Sequence, residues 1–269
     1  MSTTGSESTS DKDVPVDPAT AGVARLEAQV ARLELHLDPQ RLFTGADGHA
    51  VVPAWRRLTA GEKRAPVALA TAAAIALQVA LPARLNLNSR FLLPSIEVAL
   101  LVAVVMLNPG RIDRISRPLR LLGLGLTAVA SLANTYSAGV LIVGLVHGTN
   151  GDAPGPLLST GAAIYLTNII IFALWYFELD RGGPAARACA VKTRPDFLFA
   201  QMTAPNVADP QWEPKFADYL YVSFTNATAF SPTDTLPLTR WAKMIMMLQS
   251  AVSLVTVALI VARAVNILK

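Results

Sequence analysis

Five long apolar blocks dominate this sequence and decide what it can fold into. They run from about Pro66 to Leu81, Phe91 to Leu107, Leu121 to Val146, Leu157 to Phe177 and Met244 to Val261. Alternating strands and amphipathic surface helices do not produce uninterrupted runs of this kind. A helical membrane crossing needs about 20 predominantly apolar residues. Composition agrees: of 269 residues, 52% are hydrophobic and 16% charged, where soluble domains run nearer 25% charged. The expected fold class is an all-α integral membrane protein with about five transmembrane helices. The lipid bilayer is its first partner.

Ahead of the first block the chain is polar. Residues 1–20, rich in Ser, Thr, Asp and Pro, have the composition of a disordered tail. Over 21–38, Val23, Leu26, Val30, Leu33 and Leu37 recur at steps of three and four, which draws one apolar seam along an amphipathic, coiled-coil-like helix. That seam either joins a second copy or lies against the protein's own body or the lipid surface. Residues 39–64 form a basic linker. The first 60 residues contain no apolar core of a signal peptide, so an internal first span is expected to direct insertion.

The net charge of +4 is not gathered into a nucleic-acid patch, and no nucleic-acid partner is expected. The basic residues flank the apolar blocks: Arg56, Arg57, Lys63 and Arg64 before the first, Arg111, Arg114, Arg117 and Arg120 between the second and third, and Arg181, Arg187, Lys192 and Arg194 after the fourth. The loop from His147 to Gly155 carries neither Lys nor Arg. Under the positive-inside rule all three clusters are cytoplasmic when the N-terminus is cytoplasmic. The expected location is a bacterial plasma membrane. The one cysteine, Cys189, forms no intramolecular disulfide and reads as an inert thiol in a cytoplasmic loop.

Blocks one to three make a first transmembrane part, 65–155, and the remainder, 156–269, follows another plan: helix, loop, half-length helix, polar Pro-containing stretch, helix. Residues 216–230, FADYLYVSFTNATAF, are half as long as a crossing needs. A half-helix between two spans is the layout of a pore loop, because non-helical backbone at membrane depth must be covered by protein or line a cavity. The run YLYVSFTNATAFSPTDTLPLTRWAK resembles the pore segment of the potassium-channel superfamily, in which an aromatic half-helix of the type YFSFVTLTT leads into VGYGD and a proline. Aligned without gaps, Ser223 and Phe224 fall on the SF pair, Thr228 on the first threonine after the leucine, Asp234 on the aspartate and Pro237 on the proline. With FALWYFELDRGGP and DFLFAQM upstream, the same stretch is similar to an uncharacterised group of bacterial multi-pass membrane proteins. The channel resemblance implies a homo-oligomer, a tetramer, since one loop supplies a quarter of a pore.

The departure from that pattern is specific. Phe230, Ser231, Pro232, Thr233 and Asp234 stand where VGYGD would be. Both glycines, which supply the positive φ angles of a carbonyl-lined filter, are replaced. Pro232 fixes its own φ and pushes Ser231 toward an extended conformation. The degenerate filter implies a weakly selective path for a monovalent cation, lined by hydroxyls of Thr225, Thr228, Ser231 and Thr233, with Asn226 nearby and Asp234 at its mouth. The alternative is a non-conducting structural or accessory protein that keeps the pore-loop fold for packing. Charge runs the fourth block inward, so the loop enters from the cytoplasm, or residues 216–230 cross as a short sixth span, or one block is miscounted.

Three further polar residues interrupt the blocks, Glu97, Asn134 and Asn168, and Glu178 ends the fourth; all four are candidates for an intramembrane polar site. An intramembrane carboxylate marks a functional site by default, although Glu97 near an interface could equally pair with Arg84 or Arg90. Buried amides usually join helices by hydrogen bonds. The three histidines, His36, His49 and His147, lie far apart, and there is no phosphate loop, G-x-S-x-G elbow or metal-ligand spacing. No cofactor, metal or enzymatic activity is expected.

Overall fold

The structure is a computed structural model that describes residues 52–85, 91–148, 154–204, 207–229 and 234–267. The expected tail, the 21–38 helix and the filter-equivalent Phe230, Ser231, Pro232 and Thr233 lie outside the described residues.

Among the described residues six helices carry the architecture. Helix α1 (Ala65–Ala80) and helix α2 (Leu92–Leu107) have 16 residues each, about 24 Å of helix at 1.5 Å per residue. Helix α3 (Arg117–Val146) has 30, α4 (Pro154–Leu179) has 26 and α6 (Arg240–Ile267) has 28, while α5 (Phe216–Ala229) has only 14. Short helical turns at Pro184–Ala188 and Ala200–Thr203 lie between α4 and α5. Among the described residues three helices are long and apolar enough to cross a membrane, and α1 and α2 are apolar but shorter. The protein is thus mostly helical and compatible with an all-α membrane protein. Its unburied surface fits that class: Leu69, Met106, Leu132 and Met247 are 62–75% exposed, an apolar surface that lipid covers and water does not.

The boundaries differ from the apolar blocks where a cap intervenes. Pro118, in the first turn of α3, is preorganised for a helix start, so α3 opens four residues before Leu121 and absorbs Arg117 and Arg120. Helix α4 runs past Phe177 and takes Glu178 with it. It is the central element, touching α1, α3, α5 and α6. Of its membrane-length window 61% is buried, against 28% for α6.

The starts of α1, α3, α5 and α6 and the end of α4 gather at one end of the bundle. There β1 (Glu62–Lys63) pairs antiparallel with β2 (Arg111–Ile112), and β3 (Phe197–Phe199) with β4 (Thr235–Pro237). The β1–β2 pair needs the glycine before it. Gly61 sits at φ +69°, and a Cβ there would lie 2.5 Å from the Ile112 carbonyl oxygen. Above the β3–β4 pair, Tyr176, Phe177, Phe197, Phe199, Phe216 and Tyr219 form an aromatic core of tilted and edge-to-face ring contacts.

Candidate functional site

The half-helix is held at its start and along one face. At its start, the Glu62 carboxylate accepts the Phe216 N–H at 2.9 and 3.1 Å, and Asp218 accepts the Lys215 N–H at 2.7 Å. Acceptors there satisfy donors that a helix start leaves unpaired and sit favourably at the positive end of its dipole. Glu62 lies outside the long helices, and loss of water around it raises its pKa above 4.5, with the Phe216 bond opposing.

Further along, α5 divides into two faces. Phe216, Tyr219, Val222, Ser223, Asn226 and Ala227 are buried, at helical spacing, and Tyr221, Phe224 and Thr228 are exposed. The buried face is wired to α4 and α6. Ser223 Oγ donates to the Ile169 carbonyl at 2.6 Å. Gln249 of α6, fully buried, donates through Nε2 to Ser223 Oγ at 2.7 Å and to the Ser223 carbonyl at 3.0 Å. Its Oε1 accepts from Asn226 Nδ2 at 2.8 Å and from the Tyr176 hydroxyl at 2.5 Å. Asn226 Nδ2 also reaches the Met246 carbonyl, and Ser250 Oγ donates to Asn226 Oδ1 at 3.2 Å. About one turn further along α6, Asn168 donates to Ser253 Oγ at 3.2 Å. In a low-dielectric interior an unpaired amide is expensive, so this satisfied set fixes the depth and rotation of α5 between its neighbours.

The residues expected to line a path therefore part company. Asn226 turns into the bundle and braces α6. Thr225 and Thr228 lie toward the open face, with hydroxyls that donate to carbonyls of their own helix, Tyr221 and Phe224 respectively. Asp234, at the foot of β4, is exposed.

Glu97, Asn134, Asn168 and Glu178 do not form one site. Asn134 and Asn168 line a single cleft of about 720 Å³ between α3, α4 and α6. Glu97 is fully buried beside Gln78 of α1. Neither its carboxyl oxygens nor the Gln78 amide atoms complete a hydrogen bond among the described residues, so the pairing with Arg84 is not realised as a hydrogen bond. Glu178 interacts with Arg187, Arg64 and Arg120 at the basic end. Gln78 is in the last turn of α1 and Arg64 precedes its first, about 20 Å apart along the helix. The two glutamates therefore belong to opposite ends of the bundle.

A second constellation had only a faint sequence signal, the charged ELDRGG run that follows an apolar block. Asp180 accepts the Tyr219 hydroxyl at 2.6 Å and the Asp196 N–H at 2.9 Å. Asp196 in turn accepts the Arg181 N–H at 2.7 Å and the Trp241 indole N–H at 3.0 Å. Arg181 sits at φ 53°, followed by Gly182 and Gly183 at φ +88° and +100°. A left-handed arginine costs about 1–3 kcal/mol unless its surroundings hold it. Here they do: its Nε donates to the Lys192 carbonyl at 2.9 Å and one terminal nitrogen to the Trp55 carbonyl at 2.6 Å. These bonds clamp the end of α4 to the starts of α5 and α6.

Among the described residues no group of three or more His, Cys, Asp or Glu side chains could hold a metal ion. Compared with protein-family models, curated proteins and solved structures, the chain matches none of them, so its function has to be read from the residues themselves.

Proposed function

We propose that this chain is a channel-like membrane protein in which α4, α5, the segment 230–239 and α6 act as a pore-loop module without a potassium filter. In this reading it assembles as a homotetramer in a bacterial plasma membrane and passes monovalent cations with weak selectivity. One observation carries the reading. Helix α5 starts beside Glu62, reaches Ile169 near the middle of α4 through Ser223 and Met246 and Gln249 in the first third of α6 through Asn226, and by Thr235 the chain is back beside β3 at the same end. That in-and-out course is what a re-entrant loop requires, and it argues against a sixth span. The end it enters from carries Arg64, Arg111, Arg114, Arg117 and Arg120, which the positive-inside rule makes cytoplasmic. The loop is then inverted relative to a potassium channel.

The non-conducting accessory reading has its own support. The polar side of α5 is consumed inside the protomer, and the face left open is Tyr221, Phe224 and Thr228, more apolar than a water-filled path needs.

Purified protein reconstituted in liposomes separates the two. The channel reading expects a tetramer in mild detergent, similar potassium and sodium flux, and a severalfold lower flux after Asp234→Asn. A monomer, or an intact oligomer without flux, transfers the case to the accessory reading. Orientation is checked in a Cys189→Ser background. A cysteine at Ser116 should resist membrane-impermeant thiol reagents in intact cells, while one at His147 should react.

A further inference from the structure

At the basic end, enclosed by α1, α2, α3 and the turn that follows α4, lies a cavity of about 100 Å³. Its inner wall is apolar, with Val67, Leu101 and Val104, and its outer wall holds Arg64, Asn108 and Arg120. Two of these polar residues are unusual. Arg64 is only 9% exposed, and the one hydrogen bond its guanidinium makes among the described residues runs from Nε to the Asn108 carbonyl at 2.6 Å. Its terminal nitrogens, the bidentate fork of an arginine, remain. Asn108 is also 9% exposed, and its Nδ2 has no hydrogen-bond partner among the described residues. The Arg64 terminal nitrogens and the Asn108 Nδ2, donors from two elements, thus meet in one cavity with no hydrogen bond to an acceptor among the described residues.

A buried donor without a partner costs about 1–3 kcal/mol, and native structures rarely leave one empty-handed. Glu178 also faces the cavity, but its carboxylate sits against the α3 wall: a Cβ on Gly123 would be 3.2 Å from Glu178 Oε1. Its charge is shared with Arg187, which leads Arg64 and Arg120. Arg64, Arg114 and Arg120 against Glu178, all lining the cavity, leave a formal excess of two positive charges. A planar guanidinium, a primary amide donor and an excess of positive charge form a receptor for a tetrahedral oxyanion. The apolar inner wall accepts the carbon atoms attached to it.

We infer that this cavity binds a phosphate group, with Arg64 and Asn108 donating to its oxygens and Arg120 standing at the entrance. Two sources carry that chemistry, the phosphodiester headgroup of an anionic lipid in the cytoplasmic leaflet and free phosphate. The donors Arg64, Asn108 and Arg120 lie outside the α4–α5–α6 module, which contributes only the wall at Leu174 and Glu178, and phosphate binding does not depend on whether that module conducts.

The full-length protein in neutral detergent provides the test, through the midpoint of thermal unfolding and through mass spectrometry of the intact protein with retained ligand. Three additions are compared at constant ionic strength: dioleoyl phosphatidylglycerol, dioleoylglycerol with the same chains and no phosphate, and inorganic phosphate. A ligand that binds only the folded state raises the midpoint by mass action. Phosphatidylglycerol should raise it by at least 3 °C and be retained, and dioleoylglycerol should do neither. A shift with inorganic phosphate alone assigns the site to a soluble phosphate. Asn108→Leu removes a donor that holds nothing in the protein, so its unliganded midpoint should stay within about 2 °C while affinity falls at least tenfold. Should that variant fold poorly, Asn108→Asp serves in its place, since it keeps the shape and puts an acceptor where the donor stood. Equal shifts with phosphatidylglycerol and dioleoylglycerol, shifts unchanged in the Asn108 variants and in Arg64→Gln, or no shift with either phosphate compound would each overturn the inference.

Discussion

Helices α5 and α6 and the pair α1–α2 treat buried polar side chains in opposite ways. Around Gln249, each amide and hydroxyl meets a partner: Ser223, Asn226 and Tyr176 all bond it, and Ser223 reaches on to α4. Between α1 and α2, Glu97 and Gln78 lie side by side, both inaccessible, with no hydrogen bond of good geometry completed among the described residues. The same residue types, equally buried, serve geometry in one region and not in the other. A satisfied network specifies how helices seat, whereas an unpaired carboxyl contributes nothing to seating and is a standing penalty.

The sharpest way to break this contrast is Gln249→Leu. It leaves Ser223, Asn226 and Tyr176 without their shared partner, and the expected loss is about 2–3 kcal/mol. For a protein of this size that lowers the unfolding midpoint by about 5–10 °C, measured by thermal denaturation in detergent. A midpoint unchanged within error would mean that the network is not what holds α5.

Next comes Glu97→Leu, with the opposite sign. Replacing an unpaired buried carboxyl by an apolar side chain of similar volume is expected to be neutral or to stabilise by about 1–2 kcal/mol, on the same assay. Destabilisation as large as that of Gln249→Leu would reveal a partner for Glu97 and collapse the contrast.

Within α5 alone, Ser223→Ala should cost about 1 kcal/mol, because Gln249 and the Ile169 carbonyl each lose a partner. Thr228→Val, on the exposed stripe, should stay within about 0.5 kcal/mol. Equal effects would erase the two-faced reading of the half-helix.

The smallest effect is a slope. Burial raises the folded-state pKa of Glu62 above 4.5, so its contribution to stability is fully present below about that pH and is lost as pH rises through the raised value. Glu62→Gln should flatten the stability profile in that window. An unchanged profile would show that burial does not disfavour the charged form of this carboxyl at the start of α5.

Much of the long-range plan was legible because it rests on hydropathy. All five apolar blocks became helices, and the half-length segment became α5, since a helix satisfies the backbone of an apolar run within the segment itself. The ends were less legible, because caps decide them: Pro118 starts α3 early, and α4 keeps Glu178. The direction of Asn226 was not legible at all. The alignment put it near a path, but its neighbour Gln249 is 23 residues away in sequence, and nothing in a linear motif announces which face of a helix meets which partner. The Asp180–Asp196–Tyr219–Trp241 set was hidden for the same reason. Its members come from four separate segments, and only the positive-φ run at Arg181, Gly182 and Gly183 left a trace, in the glycine pair.

The dependence of α5 on Gln249 also has a consequence for the order in which the protein is made. Ser223 and Asn226 emerge from the ribosome before α6 exists, and at 14 residues α5 cannot hold a transmembrane position unaided. Until Gln249 arrives, the half-helix has α4 to lean on but no amide to meet its own. In the pore-loop reading proposed above, its insertion is therefore a late event, completed when α6 enters the bilayer and closes over it. A nascent chain arrested before Gln249 should leave α5 open to water-soluble proteases on the basic side, and one arrested after α6 should not.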